Sequence, residues 1–336
     1  MPHRTLRRSS ALALALVGLA VLAGCGSPAP TTEQDPASDA GFPRSVEHFR
    51  GSTDIPARPA RIAALDSSYA DAVLLLDAQL VAHTDYRGEG LPEYLGDDRE
   101  RVAADATSIG ELSDPSLEQL AAVAPDLIIS AEVRHGELYE QMSSIAPTVF
   151  SQSTGPTWKD NIRLLGEAIG KEDLADAELT AYEERARKVG EAINAKHDNP
   201  VVSIIRFAGE PTARLYRTSS FSGIVLEDAG IARPDSQLAD PSDPSSIMNS
   251  ISPENLNLAE GDVIIVSTYE PDDDADARTV RESAEAFTGN PLWQTMEGRR
   301  VSVRDEIWMM PVSVQGAHAI LDDLAEIFDV DPYRED

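Results

Sequence analysis

An α/β protein of two Rossmann-like lobes joined by a long α-helix is predicted by three features of this 336-residue chain. Short apolar runs alternate with helical spacing through the first half, as strands and covering helices do in a parallel sheet. Residues 158–196 then hold helical spacing almost without a break. Beyond them the alternation starts again, in an order that echoes the first half.

Taken in order, residues 61–65 form a short apolar strand ending at Asp66, residues 70–76 continue with helical spacing, and 80–83 form a second strand. Asp114-Pro115-Ser116-Leu117-Glu118 opens a helix, with Pro115 suited to its first turn and Leu117, Leu120 and Ala121 on one face. Pro125 ends that helix, and 126–130 read as a buried strand. The long helical stretch divides at Gly170 into 162–169 and 174–193. Its second part carries a stripe of Leu174, Ala177, Leu179, Ala181, Tyr182, Ala186, Val189 and Ile193. Such a length between two α/β segments reads as a rigid spacer; a helical hairpin capping one domain is the plain alternative.

Past the spacer, 201–207 form a strand and 221–230 a short helix stopped by Gly230. Ser252-Pro253-Glu254-Asn255 repeats the earlier helix opening, and 262–267 repeats the strand that followed it. Residues 299–303 form a further strand, and Val314–Phe328 a closing helix. The expected divisions are an export segment at 1–24, a tether at 25–41, a first lobe at 42–156, the spacer at 157–197 and a second lobe at 198–336. Two lobes imply a cleft between them, where ligands usually sit.

Composition narrows the function. Asp and Glu total 58 against 28 Lys and Arg, a net charge of −30. Three Arg and no acid precede Cys25, so the chain from Cys25 onward carries −33. A surface this acidic repels nucleic acid and anionic lipid headgroups, and it makes any Arg cluster in a cleft stand out. Cys25 is the one cysteine, so neither an internal disulfide nor a thiolate metal site is possible.

The position of Cys25 gives it a different job. Arg4, Arg7 and Arg8 precede an apolar run at 11–23, too short for an ordinary membrane span. The run ends in Leu22-Ala23-Gly24-Cys25, which resembles the lipobox of bacterial lipoproteins. That resemblance implies diacylation of the Cys25 sulfur, export across the cytoplasmic membrane and anchoring to its outer face. The Pro-, Ser- and Ala-rich tether would let the folded part stand off the membrane.

The usual catalytic signatures are absent: no Gly-x-Gly-x-x-Gly after a strand, no P-loop, no His-Glu-x-x-His, no Gly-x-Ser-x-Gly. The six histidines are scattered, and a metal site built on His83 and His135 would need distant carboxylates. Asp272, Asp273, Asp274 and Asp276 read as an acidic, solvated loop. A surface-anchored hydrolase would have to rest on carboxylates alone, since no nucleophile–base pair is visible.

The stretches 61–77, 109–130, 145–150, 221–234 and 290–308 resemble, in the same order, the iron-siderophore binding lipoproteins of ABC importers, a class III periplasmic-binding-protein-like family. Pro-Ser-Leu-Glu followed by Pro-Asp-Leu-Ile-Ile, and Ile-Ala-Pro-Thr-Val-Phe, carry most of that likeness. The resemblance implies a non-catalytic protein, expected to act as a monomer, that holds a ferric siderophore in the cleft and has no intrinsic cofactor. It implies that Glu118 and Glu254, one per lobe, dock on the permease subunits. It also places Arg134, Arg206, Tyr216, Arg217 and Trp308 around the ligand. Guanidinium forks suit the oxygens of an iron chelate, and aromatic groups add flat contact. Iron would arrive already chelated, without protein ligands. Haem or a cobalamin remains the rival cargo, with Tyr216 or His135 as an axial ligand for haem.

Overall fold

A computed structural model describes residues 41–334 apart from 89, 244, 272 and 273; Cys25 and the export segment lie outside the described residues. The described chain begins with a hairpin, β1 (Arg44–His48) and β2 (Gly51–Ile55), turning at Gly51 with φ +117°. Only Val46 and Ile55 of this polar pair are buried, so no hydrophobic alternation announces it.

The first lobe alternates β3 (Ile62–Ala64), α1 (Ser67–Leu75), β4 (Leu80–Asp85), α2 (Gly96–Ala103), β5 (Thr107–Glu111), α3 (Leu117–Ala122) and β6 (Leu127–Ala131). The short helices α4 (Glu132–His135) and α5 (Tyr139–Ser143) lead to β7 (Thr148–Ser151). The five strands are parallel in the order β5-β4-β3-β6-β7. Pro115 lies one residue before the N-cap of α3 rather than inside its first turn, because Ser116 takes the cap and accepts from the Gln119 amide at 3.3 Å.

Two helices follow, α6 (Trp158–Ile169) and α7 (Glu172–His197), separated where Gly170 turns left-handed at φ +69°. A side chain at Gly170 would run into Arg58 and Phe42. The face of α7 that meets the core includes Leu179, Tyr182, Ala186, Val189 and Ile193, as the stripe predicts; Ala175 is buried in place of exposed Ala177. Gly190 lets α7 lie directly on the backbone of Ala229, where a methyl group would stand 1.6 Å from the carbonyl oxygen.

The second lobe runs β8 (Val202–Phe207), β9 (Ala213–Tyr216), α8 (Phe221–Asp228), β10 (Met248–Ile251), β11 (Val263–Thr268), α9 (Asp274–Thr288), α10 (Pro291–Thr295), β12 (Arg299–Arg304), α11 (Asp305–Trp308) and α12 (Val314–Phe328). Its strand order, β10-β9-β8-β11-β12, repeats that of the first lobe. The sheet is mixed, however: β9 and β10 are antiparallel to their neighbours. The 208–212 connection explains this, since a parallel crossover takes a dozen residues or more. Two further corrections concern local structure. Residues Pro253–Ala259 are 3-10 rather than α-helical, Asn255 leaving helical angles at φ −105°. Asp274 and Asp276 belong to the first turn of α9 and not to a loop; Asp272 and Asp273 lie outside the described residues.

One hydrophobic cluster runs through both lobes, from Ile62 and Leu127 through Trp158, Tyr182 and Val189 to Val202, Trp308 and Phe328. A core continuous across the lobes resists hinge rotation, since bending would break packed contacts. A buried carboxylate reinforces it. Asp71 on α1 accepts from the Tyr94 hydroxyl at 2.8 Å and faces the opening turn of α12 at Ser313, Gln315 and Gly316.

Burial pushes the Asp71 pKa up to about 6 from 3.8, against the hydrogen bond from Tyr94. A raised carboxyl pKa makes the native state the better proton binder between those two values. Stability from this group is therefore full below about pH 4 and lost as pH rises to about 6, by about 3 kcal/mol. Urea unfolding across that range should show the slope in the wild type and a flatter curve in Asp71→Asn; parallel curves would remove Asp71 from the account.

Candidate interlobe binding site

In an open α/β sheet, ligands gather at the carboxyl ends of the strands where the strand order reverses. The first lobe reverses between β3 and β6, the second between β8 and β11. At the first of these points Asp66, just past β3, caps α1 by accepting from the Ser68 amide at 3.0 Å. Its second oxygen accepts from Arg134 Nε at 2.8 Å, just past β6. Arg134 Nη2 also reaches Thr154 Oγ1 at 3.3 Å. Asp66 thus orients the guanidinium while about 35% of the Arg134 side chain stays exposed.

At the second reversal point Arg206 of β8 meets Asp305, just past β12, through bonds of 2.7 and 2.5 Å from Nε and Nη2. Its Nη1 donates to the Tyr216 hydroxyl at 3.1 Å, and Ser267 Oγ donates to Asp305 at 2.5 Å. Burial works against the charge of Arg206, and Tyr216 and Asp305 outweigh it, so the guanidinium is held above its ordinary range. Arg206 is only 3% exposed. In front of it lies Tyr269, just past β11, with the Arg206 guanidinium 6.0 Å from the ring centre.

Three adjoining hollows form a trough between these points. One of about 410 Å³ is shared by the lobes, with Ser67, Thr84, Tyr86 and Arg99 on one side and Glu306 and Met310 on the other. A hollow of about 300 Å³ continues along the first lobe past Tyr86, Arg87, Leu112 and Arg134. A third of about 330 Å³ enters the second lobe past Tyr269, Arg304, Asp305 and Met310. A shallower hollow of about 740 Å³ adjoins the trough at Ser113, Val133 and Arg134 and runs out over Arg50, Glu132 and Glu140, and one of about 500 Å³ lies beside α12. Four carboxylates of α12 and its end, Asp322, Asp323, Glu326 and Asp329, outnumber Arg304 and Arg334 in the hollow beside α12, which disfavours an anion there.

The residues expected from sequence divide accordingly. Arg134 faces the trough. Arg206 lies buried against the Tyr269 ring, and Tyr216 is engaged with Arg206. Arg217 turns to the sheet edge, where it meets Asn249 and comes within 3.5 Å of Asp240. Trp308 is not a cleft aromatic: it is fully buried, and its Nε1 donates to Asp323 on α12 at 2.8 Å. Glu118 and Glu254 are exposed in the opening turns of α3 and of the 3-10 segment. The Glu254 amide and Ser252 hold the Glu254 carboxyl below its usual range.

The two candidate histidines are already engaged. His135 Nε2 donates to the Leu112 carbonyl at 2.7 Å, and its Nδ1 accepts from Ser130 Oγ at 2.7 Å. Both ring nitrogens are used inside the lobe, so His135 serves neither as a metal ligand nor as a haem ligand. Buried His83 lies within 3.4 Å of Asp85, and burial lowers its pKa. Among the described residues no group of three or more His, Cys, Asp or Glu could hold a metal ion. Sequence reasoning missed Tyr86, Arg87, Arg99, Tyr269 and Met310. For Tyr86, Arg87 and Tyr269 a signal existed, since each stands within two residues of the carboxyl end of a strand; Arg99 and Met310 carry none.

A family profile described as periplasmic binding protein matches residues 62–299. The chain is a periplasmic binding protein. It is 31% identical over 328 residues to the probable siderophore-binding lipoprotein YfiY of Bacillus subtilis, covering 95% of this chain and 97% of that one. It is 24% identical to the Fe(3+)-citrate-binding protein YfmC of the same organism, over 85% of this chain and 84% of the other. Among solved structures, Staphylococcus aureus SirA complexed with staphyloferrin B superposes with a TM-score of 0.78 at 25% identity, covering 86% of this chain and 99% of that chain. Bacillus subtilis FeuA complexed with ferri-bacillibactin shares the fold, with a TM-score of 0.68 at 18% identity over 85% and 99% of the two chains. This periplasmic binding protein therefore belongs to a family that carries solutes and does not transform them.

Proposed function

We propose that the protein captures a ferric siderophore in the interlobe trough and delivers it to the permease of an ABC importer. The observation that carries this reading is the convergence of Arg87, Arg99 and Arg134 on one trough in a chain of net charge −30. Glu111, Glu270, Asp305 and Glu306 line the same hollows, so the three guanidinium groups act as local forks rather than as a net positive field, and such forks bind the anionic oxygens of an iron chelate with charge-assisted hydrogen bonds. The siderophore- and citrate-binding relatives support the cargo. Iron stays chelated on this reading, and the protein contributes hydrogen bonds and flat aromatic contact rather than metal ligands.

Two relatives are lipoproteins, which supports diacylation of Cys25 and anchoring to the outer face of the cytoplasmic membrane. Glu118 and Glu254, one on each lobe, would pair with basic groups of two permease subunits and so read the lobe spacing. The working parts are then a tether at 25–41, lobes at 42–156 and 198–336, and a helical spacer at 157–197. Calorimetric titration of the protein lacking residues 1–24 with ferric dicitrate should give one saturable site, weakened about tenfold or more in Arg134→Ala. Equal affinity in the variant would take Arg134 out of the site, and no heat with any ferric chelate would overturn the cargo.

A further inference from the structure

The described residues of the loop that leaves β4, among them Tyr86, Arg87 and Gly88, line two of the hollows. Glu111, the last residue of β5, accepts from two successive amides of this loop, Arg87 N–H at 3.0 Å and Gly88 N–H at 2.9 Å. Between them they fix Arg87 at φ +57° and Gly88 at φ +83°, the first an uncommon conformation for a residue with a side chain. The result is a pinned turn with an exposed Arg at its tip. From there the Arg87 guanidinium reaches the other lobe and stands 4.3 Å from the ring centre of Tyr269. Tyr269 is only 7% exposed and packs with Ala208 and Val280. Arg206, already matched by Asp305, lies 6.0 Å from the same ring.

We propose that Arg87 is a charge-reading gate, resting on Tyr269 across the cleft until an anionic group of the incoming chelate draws it off. Glu111 is its positioning residue, holding the turn from which the side chain spans the cleft. This rests on the ferric-chelate reading and sharpens it to a ligand class. Arg87 itself is exposed, and a solvent-facing cation over an aromatic ring is held weakly, by a factor of about two to five. A charge-assisted hydrogen bond to a carboxylate or catecholate oxygen is stronger, so an anionic chelate gains by taking Arg87 from the ring. A chelate of zero net charge, whose oxygens are already balanced by the iron, displaces the guanidinium and offers it less in return. Specificity therefore favours net-anionic ferric chelates over neutral ones of similar size.

The test uses two probes, ferric dicitrate and a neutral ferric trihydroxamate of the ferrichrome type, titrated against the wild type, Arg87→Ala and Glu111→Gln. Arg87→Ala should lose about tenfold or more in affinity for ferric dicitrate while the neutral chelate binds equally well or better. Glu111→Gln should move the same ratio in the same sense by a smaller factor. Equal losses for both chelates in either variant would mean a structural role only and overturn the gate. The contact itself is read without ligand, by a double-mutant cycle of Arg87→Ala and Tyr269→Leu in urea unfolding. Coupling by a factor of about two to five supports the cross-cleft contact, and additive effects overturn it. A wild type that binds neither chelate contradicts the ferric-chelate reading and the charge-reading role together, whereas additivity in the cycle contradicts the gate alone.

Discussion

Asp305→Ala is expected to lower the unfolding free energy by about 3–5 kcal/mol, because it strands a buried guanidinium. Arg206 is enclosed between β9 and β11, and Asp305 is the carboxylate that matches it with two hydrogen bonds. Removing that carboxylate also leaves Ser267 Oγ without its acceptor. The pair is not for that reason a large source of stability, since taking both charges out of water offsets most of their attraction. An apolar replacement of both partners, Arg206→Met with Asp305→Leu, should therefore recover most of the loss. Urea denaturation of the single and double variants checks this. A single-variant loss below about 1 kcal/mol would mean that water reaches the pair, and Arg206 would again be a candidate for direct contact with ligand.

Trp308→Ala should cost a similar amount, about 3–5 kcal/mol, through a cavity in the cluster shared by the two lobes. Trp308 is fully buried and tied to α12 through Asp323, whose own carboxyl is pushed up by burial. A milder change, Trp308→Phe, should leave the affinity for ferric dicitrate within about twofold of the wild type while lowering the melting temperature. The opposite pattern, unchanged stability with weakened binding, would return Trp308 to the ligand site. Stability and affinity measured on the same preparations separate the two roles.

These two residues show where sequence reading stops. The buried strands at 126–130, 201–207 and 262–267 were legible because runs of Val, Ile and Leu bounded by turn residues have few other readings. The spacer was legible because helical spacing held across 162–169 and 174–193, broken only at Gly170. The hairpin at Arg44–Ile55 was not, because just two of its residues are buried and the rest is polar. Strands β9 and β10 were missed for a related reason: each is short and mixes polar with apolar residues, Ala-Arg-Leu-Tyr and Met-Asn-Ser-Ile, so no apolar run marks it.

At the site, sequence identified the types of residue needed but not which way they face. Arg134 and Arg206 both stand near a strand end, and nothing local to either says that Asp66 orients the first toward solvent while Asp305 and Tyr216 enclose the second. That difference depends on a carboxylate 68 residues away in one case and 99 in the other. Arg87 and Tyr269 come from loops on opposite lobes, and their contact exists only once both sheets are placed. Arg217 sat beside Tyr216 in sequence, and strand alternation alone would send it to the other face.

On the proposed function, the trough between the two reversal points holds an iron chelate whose metal touches no protein atom. Anomalous diffraction at the iron edge, from co-crystals grown with ferric dicitrate, tests it most directly. The predicted result is one iron peak between Arg87 and Arg134 on one lobe and Tyr269 and Met310 on the other, with chelate oxygens filling its coordination shell. A peak bonded to a protein side chain, or one seated outside the trough, would contradict it.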